Sequence, residues 1–330
     1  MRALGFDPKL ALLGALLAAS GSSFSAEGEP PELVWTLEGH LAAVDSLAFS
    51  PDGKLLVSGG GYNDGTMILW DPGSGEPKRT IRGTRESVSS LAFSPDGKTL
   101  ASGGSDTTIK LHDPQTGELK RTLRGHRGGV NSVAFSKDGK WLASACDADE
   151  AVRVWDAAKG TVACAMTIRW GAHAVAFFPD SKALAGGGRF GTLYLWSVPD
   201  GGSITMLSVG QGKVTAAVSP DGKLLAAGSD AKSVSLYEAP GGKLLRTLPR
   251  CRANAPVAFS PDGGLLATAS DTNAVDLYDA QTGTLKRALY GHKAGVCSLA
   301  FSPDGKLLAS GGLDNVARLW DVSKWIRVRP

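Results

Sequence analysis

Histidine and cysteine are scarce in this chain, five and four residues among 330, and their placement removes most metal and redox chemistry. Cys146, Cys164, Cys251 and Cys297 form no C-x-x-C pair and no other zinc-ligand spacing, so no metal and no cofactor is expected. Charge of either sign in excess is also missing: 35 Lys and Arg stand against 32 Asp and Glu, scattered along the chain. Without a basic stripe, nucleic-acid binding is not expected. The catalytic signatures G-x-S-x-G and H-E-x-x-H and the phosphate loop G-x-x-x-x-G-K are absent, which removes the commonest local evidence for a hydrolase or nucleotidase. One G-x-G-x-x-G match, Gly186, Gly188 and Gly191, leads into the strand-like run Thr192 to Trp196. It lacks the helix N-terminus that would hold a pyrophosphate, so turn glycines are the better reading.

What is abundant is glycine, 43 residues, lying with proline between short apolar runs that have no helical spacing. A column of Phe49, Phe93, Phe135, Phe177, Val218, Phe259 and Phe301 recurs about every 42 residues, the period of a repeat architecture. Each member precedes a turn such as Ser50-Pro51-Asp52-Gly53, in which Pro presets φ, Asp caps its own backbone and Gly takes positive φ. The runs around one turn, Val130 to Phe135, Trp141 to Ala145, Val152 to Trp155 and Thr161 to Met166, are strand-length and too short for helices. Seven four-stranded antiparallel units are predicted. Cys146 and Cys164 then fall on the second and fourth strands of one unit, about 9–10 Å apart and beyond the roughly 7 Å that a disulfide spans. Buried free thiols are the expectation.

Gly39-His40, Gly125-His126 and Gly291-His292 near the unit starts, with Trp70-Asp71, Trp155-Asp156 and Trp320-Asp321 near their ends, give the chain its family likeness. On these residues it resembles the Trp-Asp (WD) repeat β-propellers over residues 33–321. The resemblance implies an all-β, seven-bladed propeller. The segment Leu33 to His40 aligns with Leu119 to His126, so an outer strand arrives before any inner one and should complete the last blade, closing the ring and protecting its edges.

The resemblance also implies a buried hydrogen-bonded tetrad in three blades: His40, Ser58, Asp64 and Trp70; His126, Ser144, Asp149 and Trp155; His292, Ser310, Asp314 and Trp320. Ser, His and Asp together suggest a hydrolase triad, but repetition in three blades fits structure better, since an active site is needed once. No catalytic residue is assigned. Blade two offers a variant set, Thr84, Ser102, Asp106 and His112. Blades four to six lose much of the pattern, with Ile168, Gly186 and Phe190 at the His, Ser and Asp positions of blade four.

His173 lies off the tetrad columns, four residues before its Phe like Asp45, Ser89, Asn131 and Cys297. In the family such positions, with the residue before the tetrad Asp, face one channel mouth and meet partners. Carried onto this chain, Trp170, His173, Arg189, Phe190, Lys213 and Arg252 form a candidate site for an acidic or aromatic protein surface, since Trp and Arg dominate interface energetics. The bland alternative is drift, with Trp170 and Phe190 filling space that smaller tetrad residues left.

Residues 1–25 read as an export signal: Arg2 and Lys9 flank the start, Leu10 to Ala19 is apolar, and Ser23-Phe24-Ser25 offers a cleavage site. Ten apolar residues fall short of the roughly 20 that span a bilayer, so no membrane span is expected. Residues 26–32 would be a linker and 322–330 a basic tail with Lys324, Trp325, Arg327 and Arg329. The sequence therefore leads to an exported, monomeric, non-enzymatic scaffold for one or more proteins. A carbohydrate or small-ligand module built on Trp170 and Phe190 is the alternative, and a propeller hydrolase a more remote one.

Overall fold

The computed structural model describes residues 32–84 and 86–326. The export segment 1–25, most of the linker and Arg327 and Arg329 lie outside the described residues. Seven four-stranded antiparallel sheets form a ring. In blade one, Val44–Phe49 pairs with Leu56–Gly60, which pairs with Thr66–Trp70, which pairs with Pro77–Arg82. Blades two to six repeat this order along the chain.

Blade seven is built from both ends of the propeller. Leu33–Leu37 pairs antiparallel with Ala317–Asp321, matching Leu33 to Trp320, Trp35 to Leu319 and Leu37 to Ala317. The reason is visible in the burial: Leu37 packs among Val44, Leu47, Ala317 and Leu319, joining the cores of blades seven and one. An orphan strand would leave that side chain in water and the last blade short of one row of hydrogen bonds.

The turns behave as their letters predict. Ser50 Oγ donates to Asp52 Oδ1 at 2.6 Å and accepts from Leu55 N at 3.0 Å, while Gly53 takes φ 70°. The same Ser-to-Asp bond, at 2.6 Å, closes the turns at Ser94, Ser136, Ser219 and Ser302. These hydroxyl bonds are the largest influence on Asp52, Asp96 and Asp221 and hold their carboxyls below the ordinary range. A folded-state pKa below the unfolded value means stability that is present above about pH 4 and lost as pH falls through the folded value. Acid titration of thermal unfolding should therefore show a fall below about pH 4 that is shallower in Ser50→Ala than in the wild type. A slope unchanged by the substitution would detach the turn from acid stability.

Neighbouring blades are stitched near the axis. Ser298 Oγ donates to Val44 O at 3.2 Å, Ser46 Oγ to Val88 O at 2.9 Å, Asn131 Nδ2 to Ala172 O at 3.1 Å and Thr215 Oγ1 to Ala255 O at 2.7 Å. Ser90 Oγ accepts from Val133 N at 3.0 Å and Ser132 Oγ from Val175 N at 3.2 Å. Glycine is required where blades touch most closely: a Cβ at Gly59 would stand 2.7 Å from Val88 Cγ1 of the next blade.

Candidate functional site

The three tetrads form complete hydrogen-bond chains. In blade one Trp70 Nε1 donates to Ser58 Oγ at 2.8 Å, Ser58 Oγ lies 2.7 Å from His40 Nε2, and His40 Nδ1 lies 2.6 Å from Asp64 Oδ2. The corresponding distances are 2.8, 2.7 and 3.0 Å through Trp155, Ser144, His126 and Asp149, and 2.8, 2.7 and 2.9 Å through Trp320, Ser310, His292 and Asp314. Indole N–H can only donate and a carboxylate only accept, so in blade one His40 donates from Nδ1 to Asp64 and accepts at Nε2 from Ser58, while in blades three and seven an Arg Nη1 also stands 2.7 and 2.9 Å from the His Nδ1. Burial, the largest influence, holds His126 and His292 below the ordinary imidazole pKa despite the attraction of Asp149 and Asp314. Ser58, Ser144 and Ser310 are fully buried and bonded on both sides. None of them presents a nucleophile to solvent, so these residues hold strands together.

Two cations that the repeat columns did not single out extend the tetrads. Arg153 Nη1 donates to Asp149 Oδ2 at 2.6 Å and Arg318 Nη1 to Asp314 Oδ2 at 2.8 Å. Their sequence signal is their position four residues after the tetrad Asp and two before the Trp. Arg153 also occupies the one donor cluster of blade three among the described residues. His126, Cys146 and Asp149 bring donor atoms within 4.8 Å of one another, but Arg153 Nη1 stands 2.7 Å from His126 Nδ1 and already neutralises the carboxylate. All four cysteines are free; Cys146 and Cys251 are buried as expected of free thiols, whereas Cys164, on an outer strand, and Cys297 are only partly buried.

Blade two does not assemble the variant tetrad. Thr84 Oγ1 turns to the Ser87 carbonyl, and Asp106 accepts from Thr108 Oγ1 and from Lys110 Nζ. Ser102 Oγ and His112 Nδ1 are left buried without a hydrogen-bond partner among the described residues. Threonine is too short to span the distance a histidine covers, and Lys110 takes the Asp that would orient it. Burial, with a contribution from the Lys110 charge, pushes His112 down to a pKa of about 4.

Asp45, Ser89, Asn131, His173 and Cys297 each occupy a β-bulge, the residue skipped in register between Val44 and Ser46, Val88 and Ser90, Val130 and Ser132, Ala172 and Ala174, and Val296 and Ser298. The extra residue re-aims its side chain. In blades five and six the paired inner strands begin only after this position, at Thr215 and Val257.

Five of the six candidate partner residues gather at blade four. Trp170, in the loop entering the inner strand Ala172–Phe177, and Phe190, in the turn after Ala183–Gly188, are 63% and 61% exposed. Their rings meet edge to face, centroids 6.1 Å apart at 84°. With Arg169, Thr192 and Tyr194 they line a groove of about 500 Å³. Phe190 also borders a second groove, of about 570 Å³, with Arg189, Lys213 and Asp230. Asp147, which no repeat column marked, sits beneath: its Oδ2 lies 3.3 Å from His173 Nε2 and 3.6 Å from Arg189 Nη1. The His173 contact is close but not aligned as a hydrogen bond. Burial first, then the Lys213 charge, hold His173 below the usual imidazole pKa. Gly171 permits this packing, for a Cβ there would fall 1.6 Å from Asp147 Oδ1.

Arg252 stands apart. Its Nη1 donates to Val296 O at 3.0 Å, tying blade six to blade seven, and it lines neither groove.

A comparison with curated proteins finds no match. The model of the "WD domain, G-beta repeat" family matches residues 31–71, 75–113, 117–156, 203–238 and 283–321. The unmatched stretches 157–202 and 239–282 hold the inner three strands of blades four and six. With five repeats covering more than half of the chain and seven blades in one closed ring, the chain belongs to the WD domain, G-beta repeat family.

Proposed function

We propose that this propeller is an exported, non-enzymatic scaffold that holds a partner protein at blade four through Trp170, Phe190, Arg189, His173 and Lys213. The observation that carries the reading is the exposed Trp170–Phe190 pair beside Arg189 and Lys213. Two large rings left in water at one place are costly unless something covers them. Arg189 and Lys213 favour an acidic surface on the partner, and Asp147 beneath fixes the orientation of one of them. Arg252 contributes indirectly, by holding blade six against blade seven. Export rests on the composition of residues 1–25. Among the described residues no helix is long and apolar enough to cross a membrane.

The ring geometry favours a protein over a sugar. A stacking platform presents one flat face, whereas rings at 84° offer an edge and a face suited to interdigitating side chains. The test is to tag the native protein, crosslink it in its own cells and compare what copurifies with the wild type and with the Trp170→Ala, Arg189→Glu, Phe190→Ala variant, whose three positions are exposed. A partner retained by the wild type and reduced at least about tenfold in the variant is expected, as for a cluster of hot-spot residues. Retention by the variant would move the site elsewhere; no partner with either protein would overturn the scaffold.

A further inference from the structure

Every blade of a propeller presents its fourth strand as an exposed edge, and in most blades here that edge is charged. The outer strands of blades one, two, five and six carry Lys78, Arg79 and Arg82, Lys120 and Arg121, Lys243 and Arg246, and Lys286 and Arg287. Such charges keep unpaired edges from joining other chains. The outer strand of blade seven has none within it but is bracketed by Glu32 and Glu38.

The outer strand of blade three, Thr161–Thr167, also carries no charge but is closely bracketed by Lys159 and Arg169, and blade four departs furthest from the pattern. Its outer strand, Ser203–Ser208, reads SITMLS, and no charged residue occurs between Asp200 and Lys213. It pairs only with Thr192–Ser197. Ile204 and Met206 are 46% and 59% exposed. Met206 is paired directly across from Tyr194, which lines the aromatic groove. Residues opposed across a sheet share a face, so apolar surface continues from Trp170 and Phe190 over Tyr194 to the very edge.

We propose that Ser203–Ser208 is a self-association edge, at which blade four of one molecule pairs antiparallel with blade four of a second copy. The edge is self-complementary. A two-fold axis perpendicular to the sheet at Thr205 sets Thr205 against Thr205, Ile204 against Met206 and Ser203 against Leu207, which places the two exposed apolar side chains of each copy against those of the other. Thr–Thr and aliphatic pairs of this kind stabilise antiparallel strands, and the contact is isologous, so it stops at two copies. The neutrality of the strand favours another copy of itself: the charged edges of blades one, two, five and six would repel their own counterparts, and this one does not. An acidic segment would find no cation on the edge.

A six-residue pairing is small beside the roughly 1,200–2,000 Å² of a standard interface, so the association is weak and reversible. Sedimentation equilibrium of the purified protein should show the weight-average mass rising from one chain toward two between about 1 and about 200 µM, the range open to a small interface. Ile204→Lys with Met206→Lys, at exposed positions that leave the fold and its circular dichroism unchanged, should abolish the rise. Val162→Lys, on the outer strand of blade three, and Trp170→Ala with Phe190→Ala should keep it. A wild type that stays monomeric throughout overturns the inference. So does a dimer that survives the two lysines, or one that is lost only with Trp170 and Phe190, which would place the contact on the aromatic groove.

Discussion

Replacing Leu37 by Asp is expected to destabilise the whole propeller by about 4–5 kcal/mol, among the largest effects of a single substitution. Three costs add. Leu37 is 2% exposed and sits between the cores of blades seven and one, so about 2 kcal/mol of burial is lost at once. A carboxylate at that position would be set among the apolar side chains of that cluster, and an unpaired buried charge is expensive. Loosening Leu33–Leu37 also strips Ala317–Asp321 of its outer neighbour and reopens an edge that closure had removed. Urea unfolding followed by circular dichroism checks this, with Val34→Lys as the control. Val34 lies on the same strand but is exposed, and its replacement should cost less than about 0.5 kcal/mol. Equal midpoints for the two variants would mean that the ring does not depend on this strand.

The second large effect is a pH dependence assigned to one residue. His112 is buried, with Nδ1 unpartnered, and its pKa is lowered to about 4 from an unfolded value near 6.5. Between those values the unfolded chain binds the proton and the folded chain does not, so stability rises with pH across the window. It is complete above about pH 6.5 and lost as pH falls toward 4, by on the order of 3 kcal/mol. His126 and His292, also held low, act in the same direction, so the assignment rests on a difference. His112→Trp supplies the residue that this column carries in blades one, three and seven and gives Ser102 Oγ a donor. The gap between wild type and variant should open as pH drops from 7 to 4. A gap that stays constant would deny His112 the role. The acid effect of the Ser-to-Asp turns lies below this window, and the two are separable by pH alone.

Much of this molecule is legible as a list of intervals. The Phe column, the Ser-x-Asp-Gly turns, the three tetrads and the misplaced first strand are all local or periodic features, and each carries its own physics: a turn needs certain φ angles, and a buried His needs a donor and an acceptor at fixed offsets. Seven units that cannot bury their faces alone, with an orphan strand at the start, leave a closed ring as the consistent arrangement.

Where the intervals misled, identity at a column did not carry the geometry. Blade two offers an Asp, a Ser and a His, yet Thr84 is too short to bridge and Lys110 captures Asp106. Arg252 lies in the loop entering blade six and faces blade seven, because that loop settles it against the Val296 carbonyl. Asp147 belongs to blade three and becomes the support of blade four.

The sequence by itself determined the number of blades, the strand order within them, the turns and the three full tetrads, because each of these repeats and is decided by contacts within one unit; it determined the closure too, because the repeat pattern leaves a spare outer strand at the start and lacks one at the end. Only the tertiary structure decided which loop residues share a surface, which side chains are claimed by a neighbouring blade, and which edge is left neutral beside exposed rings. Those contacts join residues of different blades and occur once, so no period announces them.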